Sequence, residues 1–191
     1  QKELPDCTVL DGCIYVSASL EHPGVLVQHG PILRVVFGPR DPSYISPILS
    51  AIQSDLCESG IDGVLSTHIQ RDALEKFSYV SPIGAAGVYL HAVAGDFQKE
   101  GAARELFKSM IREISTLAAA MGYPFEKDYV KINLEILSNL SATTSMQRDI
   151  MEGKPSELGG LVMEPLRLAK KYSVSMPCYE EVAKVLCPLE F

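Results

Sequence analysis

The sequence predicts a mainly α-helical chain led by a short three-stranded β segment. Three observations predict it. Runs rich in β-branched and aromatic residues, broken by Pro-Gly and Gly-Pro, occupy the first forty positions. Beyond them the apolar residues recur at helical spacing. The composition, 47% hydrophobic and 21% charged over 191 residues, is that of a globular chain large enough for one sizeable core.

Asp11 to Ser19 reads as the first strand and His22-Pro23-Gly24 as a turn. Val25 to His29 and Ile32 to Gly38 read as two more strands, separated by Gly30-Pro31. In succession they suggest an antiparallel meander. Three strands make a poor domain alone, so they are expected to complete a sheet begun elsewhere. Pro39-Arg40-Asp41-Pro42 ends this part and sets the expected boundary, with residues 1–40 as the strand segment and 41–191 as the helical domain.

Tyr44 to Ser59 then places Ile45, Ile48, Leu49, Ile52 and Leu56 on one helical face, with Gly60 as its C-terminal cap. A short extended passage is expected at 64–69. Asp72 to about Val93 reads as a long helix, rich in small residues at Gly84, Ala85, Ala86 and Gly87 and ended by Gly95-Asp96. Ala102 to Met121 is the clearest amphipathic helix, with Leu106, Met110, Ile111, Ile114 and Leu117 inward and Gly122 at its end. Lys127 to Leu140, Glu157 to Tyr172 and Tyr179 to Leu186 complete the helices, with Pro165 expected to kink the second of these.

A formal net charge of -7 with no dense basic patch argues against nucleic-acid binding. No apolar run reaches the roughly 18–20 residues that span a bilayer, and no basic, apolar leader opens the chain. Five widely spaced cysteines without a CxxC pair suggest reduced, mostly buried thiols in a cytoplasmic protein rather than disulfides or zinc. Asn139-Leu140-Ser141 matches the glycosylation triplet but carries no weight without a leader. The four histidines are scattered, no GxGxxG, P-loop or Gly-x-Ser-x-Gly is present, and no metal site is read.

The informative stretch is Thr143-Thr144-Ser145-Met146-Gln147-Arg148-Asp149-Ile150, followed by Gly153-Lys154-Pro155-Ser156-Glu157-Leu158. Ser145 can open a short helix, where a hydroxyl and backbone N–H groups suit an anion such as a carboxylate. Glu157 falls at the start of the next helix, where the dipole favours its ionised form and lets it accept from a hydroxyl. By spacing alone, both read first as ordinary helix caps.

The order Ser-Met-x-x-Asp-Ile, Gly-Lys, Ser-Glu resembles the C-terminal domain of the ketopantoate reductase family. Tyr15-Val16-Ser17-Ala18, Pro23-Gly24-Val25, His29-Gly30 and Gly38 resemble the strands that end that family's cofactor domain. Asp72-Ala73-Leu74-Glu75-Lys76-Phe77 resembles the helix bearing its catalytic lysine, and Pro177 before a last helix also fits. The resemblance runs over about residues 10–188.

It implies a helical domain similar to those of 6-phosphogluconate-dehydrogenase-like enzymes, preceded by the last strands of a Rossmann domain. It implies NADPH-dependent reduction of ketopantoate to pantoate, on the route to pantothenate, with NADP bound mainly by an N-terminal part that precedes Gln1. Lys76 would protonate the ketone oxygen. Ser145 would hold the substrate carboxylate, and Glu157 a substrate hydroxyl, with a lesser contact to the cofactor. The partners expected are a small 2-keto acid and, through the small-residue helix faces, a second copy of the chain. The family's amides four and eight residues after the lysine, and three before the serine, are here Val80, Gly84 and Ala142. Those departures leave open another 2-keto acid as substrate, a helical dimerisation module without activity, or a carboxylate-binding domain.

Overall fold

The computed structural model of the chain describes residues 7–137 and 143–187. Ala142, the Asn139-Leu140-Ser141 triplet and the end of the helix expected at 127–140 lie outside them. The chain divides into two compact units, Gln1–Ala73 and Leu74–Phe191. The boundary expected near residue 40 falls inside the first, because a helix and a strand beyond that point belong to its sheet.

The sheet has the order β1 (Asp11–His22), β2 (Val25–Gly38), β3 (Asp62–Leu65). β1 and β2 form an antiparallel hairpin around Pro23-Gly24, whose glycine takes φ +86°. A proline followed by a positive-φ glycine meets the needs of a type II turn. The two strands expected at 25–29 and 32–38 are one. Gly30 (φ +85°) absorbs the irregularity, and the register passes from Val16↔Leu33 to Ala18↔Gln28, so that Ser17 alone faces residues 29–32 in an irregular bulge. The third strand is β3, parallel to β2 with Val36 opposite Val64. It sits two residues earlier than the extended passage read at 64–69, and a helical crossover joins it to β2, as a parallel pair requires.

That crossover is α1 (Pro47–Glu58), preceded by a 3-10 turn, Pro42–Tyr44, that Asp41 caps through Ser43 N–H at 2.9 Å. Leu49, Gln53 and Leu56 form its inward stripe; a Cβ on Gly63 would stand 2.9 Å from Leu56 Cβ, so only glycine lets β3 approach this closely. Ile48 and Ile52, expected inward, are 68% and 39% exposed, because the sheet meets a stripe one residue further round. Only Cys13 of the cysteines is buried, contrary to the expected mostly buried set; Cys7 and Cys57 are exposed.

α2 (Ile69–Leu90) crosses the division between the units. The second unit continues with α3 (Ala94–Gln98), α4 (Ala102–Ala120), α5 (Tyr129–Leu137), α6 (Ser145–Met151), a π-helical segment (Gly159–Met163), α7 (Glu164–Tyr172) and α8 (Pro177–Leu186). α4 runs through its core as expected. Met110, Ile111 and Ile114 are fully buried and Leu117 is 1% exposed, with Leu106 packed at the margin.

α2 ends three residues earlier than expected. His91 adopts φ 51°, its N–H bonds Val88 C=O and Ala92 N–H bonds Gly87 C=O, which is a Schellman cap with histidine in the glycine position. Gly95-Asp96, read as the breaker, lies inside α3, where Asp96 accepts from Val93 N–H at 2.9 Å. Gly60 and Gly122 do cap α1 and α4, with positive φ. Pro177 is the first residue of α8 rather than a preceding one, a position where a missing N–H costs nothing.

Two prolines stand inside helical runs, and each leaves a carbonyl four residues back without its donor. For Pro82 that carbonyl is on Ser78, and Asn133 Nδ2 donates to it at 3.1 Å. For Pro165 it is on Leu161, and Ser81 Oγ donates to it at 2.6 Å. The expected kink at Pro165 takes the form of the π-helical segment, in which Glu164 N–H reaches Gly159 C=O. Among the described residues no helix is long and apolar enough to cross a membrane.

Candidate functional site

Lys76, Ser145 and Glu157 all belong to the second unit. Lys76 stands half-buried on α2, two turns from its start. Its turn of helix is held from α5: Tyr129 Oη donates to the Glu75 carboxylate, and Asn133 donates to both Ser78 C=O (3.1 Å) and Ser78 Oγ (3.2 Å). Helical spacing puts Val80, Gly84 and Gly87 on the face that carries Lys76.

That face packs against α6. A Cβ on Gly84 would lie 2.9 Å from Met146 Cε, and one on Gly87 would lie 2.7 Å from Gln147 Cδ. Glycine at both positions leaves room for the Met146 and Gln147 side chains to lie directly against α2. The start of α6 meets α2 about two turns beyond Lys76, roughly 12 Å along the axis. Ser145 is the first residue of α6 and is exposed. The capping hydroxyl is that of Thr144, which accepts from Gln147 N–H at 3.2 Å while Gln147 Oε1 accepts from Thr144 N–H at 2.9 Å. Gln147 also donates to Ala92 C=O at 2.7 Å, tying α6 to the end of α2. The helix start is thus closed by its own capping box, and Ser145 brings an exposed hydroxyl rather than a capping one.

Glu157 is exposed and opens the next helical run, its carbonyl accepting from Leu161 N–H at 2.8 Å. The run is fastened to α2 through Leu161 C=O and Ser81. Tyr179 Oη lies 2.5 Å from the same Ser81 oxygen. Since Ser81 spends its one proton on Leu161, Tyr179 is the donor in that pair. Burial holds the Tyr179 hydroxyl well above the ordinary phenol range. The structure therefore brings the segments of Ser145 and Glu157 to one helix, α2, at positions 81–87, with Lys76 about one and a half to three turns toward its N-terminal end.

The positions where the resemblance expects amides are explained in part. Gly84 is closed to a larger side chain while Met146, 1% exposed, keeps its place. Val80 lies one turn beyond Lys76 and adds an apolar surface to that face. Two depressions in this unit, of about 470 and 300 Å³, are lined around Asp128 and Val130 and include none of the three residues.

The strand-to-helix connection that leads into α2 is not a cradle for a dinucleotide pyrophosphate. The β3–α2 connection, Ser66-Thr67-His68, contains no glycine. At its helix start Ser66 Oγ already takes His68 N–H at 2.9 Å and bonds the Asp72 carboxylate, an anion where a phosphate would have to sit.

Asn133 and Ser81, which fix this geometry, were not singled out in the sequence. The signal was there: a proline inside a helix creates an acceptor in need of a donor.

Residues 68–190 match the family described as ketopantoate reductase PanE/ApbA, C terminal. No curated protein matches the chain. A crystal structure of 2-dehydropantoate 2-reductase from Methylococcus capsulatus superposes with a TM-score of 0.84 at 22% identity, covering 99% of this chain and 60% of that one. A D-mandelate dehydrogenase in ternary complex with NADH and anilino(oxo)acetate gives 0.82 at 18% identity, covering 96% and 60%. A dimeric ketopantoate reductase from Staphylococcus aureus gives 0.78 at 19%, covering 97% and 63%. The chain spans about three fifths of the length of these structures, and at such identities they show a common fold. With the family match over residues 68–190, the chain belongs to the ketopantoate reductase family and corresponds to its C-terminal part.

Proposed function

We propose that this chain is the substrate-side part of an NADPH-dependent 2-keto acid reductase, with ketopantoate as the reference substrate. The observation that carries the reading is the attachment of the Ser145 and Glu157 segments to the helix that bears Lys76. The dinucleotide belongs to residues other than those described here. On this side, Lys76 delivers a proton to the ketone oxygen as that oxygen gains charge, Ser145 orients the carboxylate, and Glu157 accepts from a hydroxyl of the substrate. The dimeric relative supports a second copy as partner.

A second reading is favoured by Val80 and Gly84. With an apolar side chain and a closed glycine beyond Lys76, the substrate would be a 2-keto acid other than ketopantoate. The D-mandelate dehydrogenase relative, with its aryl oxo-acid ligand, fits that reading.

The test is NADPH oxidation by the protein joined to its cofactor-binding part, with ketopantoate beside branched and aryl 2-keto acids. Turnover of ketopantoate supports the first reading and turnover of another keto acid alone supports the second. Silence across the panel, in a folded protein that binds NADPH, would overturn both and leave a helical association module.

A further inference from the structure

We propose that Asn133, on α5, is a positioning residue for Lys76. This rests on the reading of Lys76 as proton donor.

Pro82 leaves one gap in the hydrogen-bond ladder of α2, at the carbonyl of Ser78 in the turn that carries Lys76. Ser78 C=O, which would have bonded the N–H of residue 82, is met instead by Asn133 Nδ2 at 3.1 Å. Ser78 is fully buried and Asn133 is 1% exposed, so no solvent can substitute for that donor. The same amide nitrogen lies 3.2 Å from Ser78 Oγ, which itself donates to Glu75 C=O at 2.7 Å. One turn earlier on the same face of α5, Tyr129 holds the Glu75 side chain. Lys76 sits inside the turn 75–78 that these contacts knit together.

The lysine lies six residues, roughly 9 Å, from the proline break. A tilt of about 10° at Pro82 would therefore move its backbone by about 1.5 Å, and a misplacement of about 1 Å can cost on the order of a hundredfold in rate. Asn133 supplies the bond that opposes such a tilt.

The test is a double-mutant cycle in the protein joined to its cofactor-binding part, assayed well below its melting temperature. Asn133→Ala is expected to lower kcat about tenfold or more with KM for the keto acid within about twofold, a split that loss of folded protein could not mimic if titrated active sites are counted. Asn133→Asp, which keeps the shape but cannot donate, should match it. Pro82→Ala restores an N–H for Ser78 C=O, so Pro82→Ala/Asn133→Ala should regain most of the lost kcat. It also serves as the folded variant if Asn133→Ala alone does not fold. An unchanged kcat per active site in Asn133→Ala, or a folded double variant that recovers nothing, would overturn the assignment. If Lys76→Ala itself leaves kcat unchanged, the reading of Lys76 fails instead; if Lys76→Ala is inactive while Asn133→Ala is normal, only this inference fails.

Discussion

Glu113, in the middle of α4, holds the backbone N–H of Cys178 at 2.8 Å. Its other oxygen takes the N–H of Tyr179 at 3.1 Å. Pro177 has no N–H and Met176 gives no side-chain cap, so this carboxylate is the cap of α8, delivered from another helix. A carboxylate 9% exposed on the apolar face of α4 is thereby paired with the positive end of a helix.

Glu113→Ala is expected to destabilise the protein by about 2–3 kcal/mol, the cost of two buried donors losing a charged acceptor. Glu113→Gln, which keeps one acceptor oxygen, should cost less. Urea unfolding measures both, and a Glu113→Gln protein as stable as the parent would show that the charge contributes nothing.

Removing the Ser81 hydroxyl orphans Leu161 C=O and leaves Tyr179 Oη without its acceptor. Ser81→Ala should therefore cost about 2 kcal/mol or more. Adding Tyr179→Phe should cost little further, since the partner is already gone. A cycle of the two variants in which the losses simply add would contradict the chain of bonds drawn here.

His91 and Ser173 both take left-handed backbone, φ 51° and 58°, at helix ends where glycine is the usual residue. Replacing either with glycine should stabilise the fold by roughly 0.5–1 kcal/mol, the relief of the Cβ strain less the added freedom of the unfolded chain. Thermal melts of the two single variants would show it, and a lowered melting temperature in both would mean that the side chains, not the backbone, hold these caps.

Burial pushes the Tyr79 hydroxyl up to about 12 from an ordinary 10, and Tyr179 is shifted in the same direction. The folded state thus keeps protons that the unfolded chain releases above pH 10. Stability present in full below about pH 10 is expected to fall as pH rises from there toward 12. Tyr79→Phe, which keeps the edge-on packing against Phe107, should move the alkaline midpoint upward. A midpoint unchanged in the variant would place the alkaline sensitivity elsewhere.

Much of the helical unit was legible because α4 repeats its apolar residues at one period and its inward face needs no partner outside that pattern. The Ser-Met-x-x-Asp-Ile block was equally plain as a motif, and the family match bears out the resemblance it suggested. The sheet was harder. Gly30-Pro31 looks like a turn, yet a bulge carries β2 through it, and whether a Gly-Pro pair turns or bulges depends on the partner strand. The four-residue β3 is too short to show an alternation of its own. Ile48 and Ile52 read as inward because an apolar stripe does not reveal which of its edges the sheet will touch. Asn133, Ser81 and Glu113 escaped because their partners lie 55, 80 and 65 residues away in the chain. Each nonetheless answers a local demand that can be read in advance: two prolines in helices, and a helix that opens on proline without a capping side chain.

The proposed role of Lys76 is that of proton donor in a keto acid reductase. It is tested most directly by kcat for NADPH-dependent reduction of the best keto acid by the protein with its cofactor-binding part, compared with Lys76→Ala. The expected result is a fall of about a hundredfold or more in kcat with little change in KM, the usual contribution of a positioned general acid. A Lys76→Ala protein that is folded, binds NADPH and turns over within about threefold of the parent would contradict it.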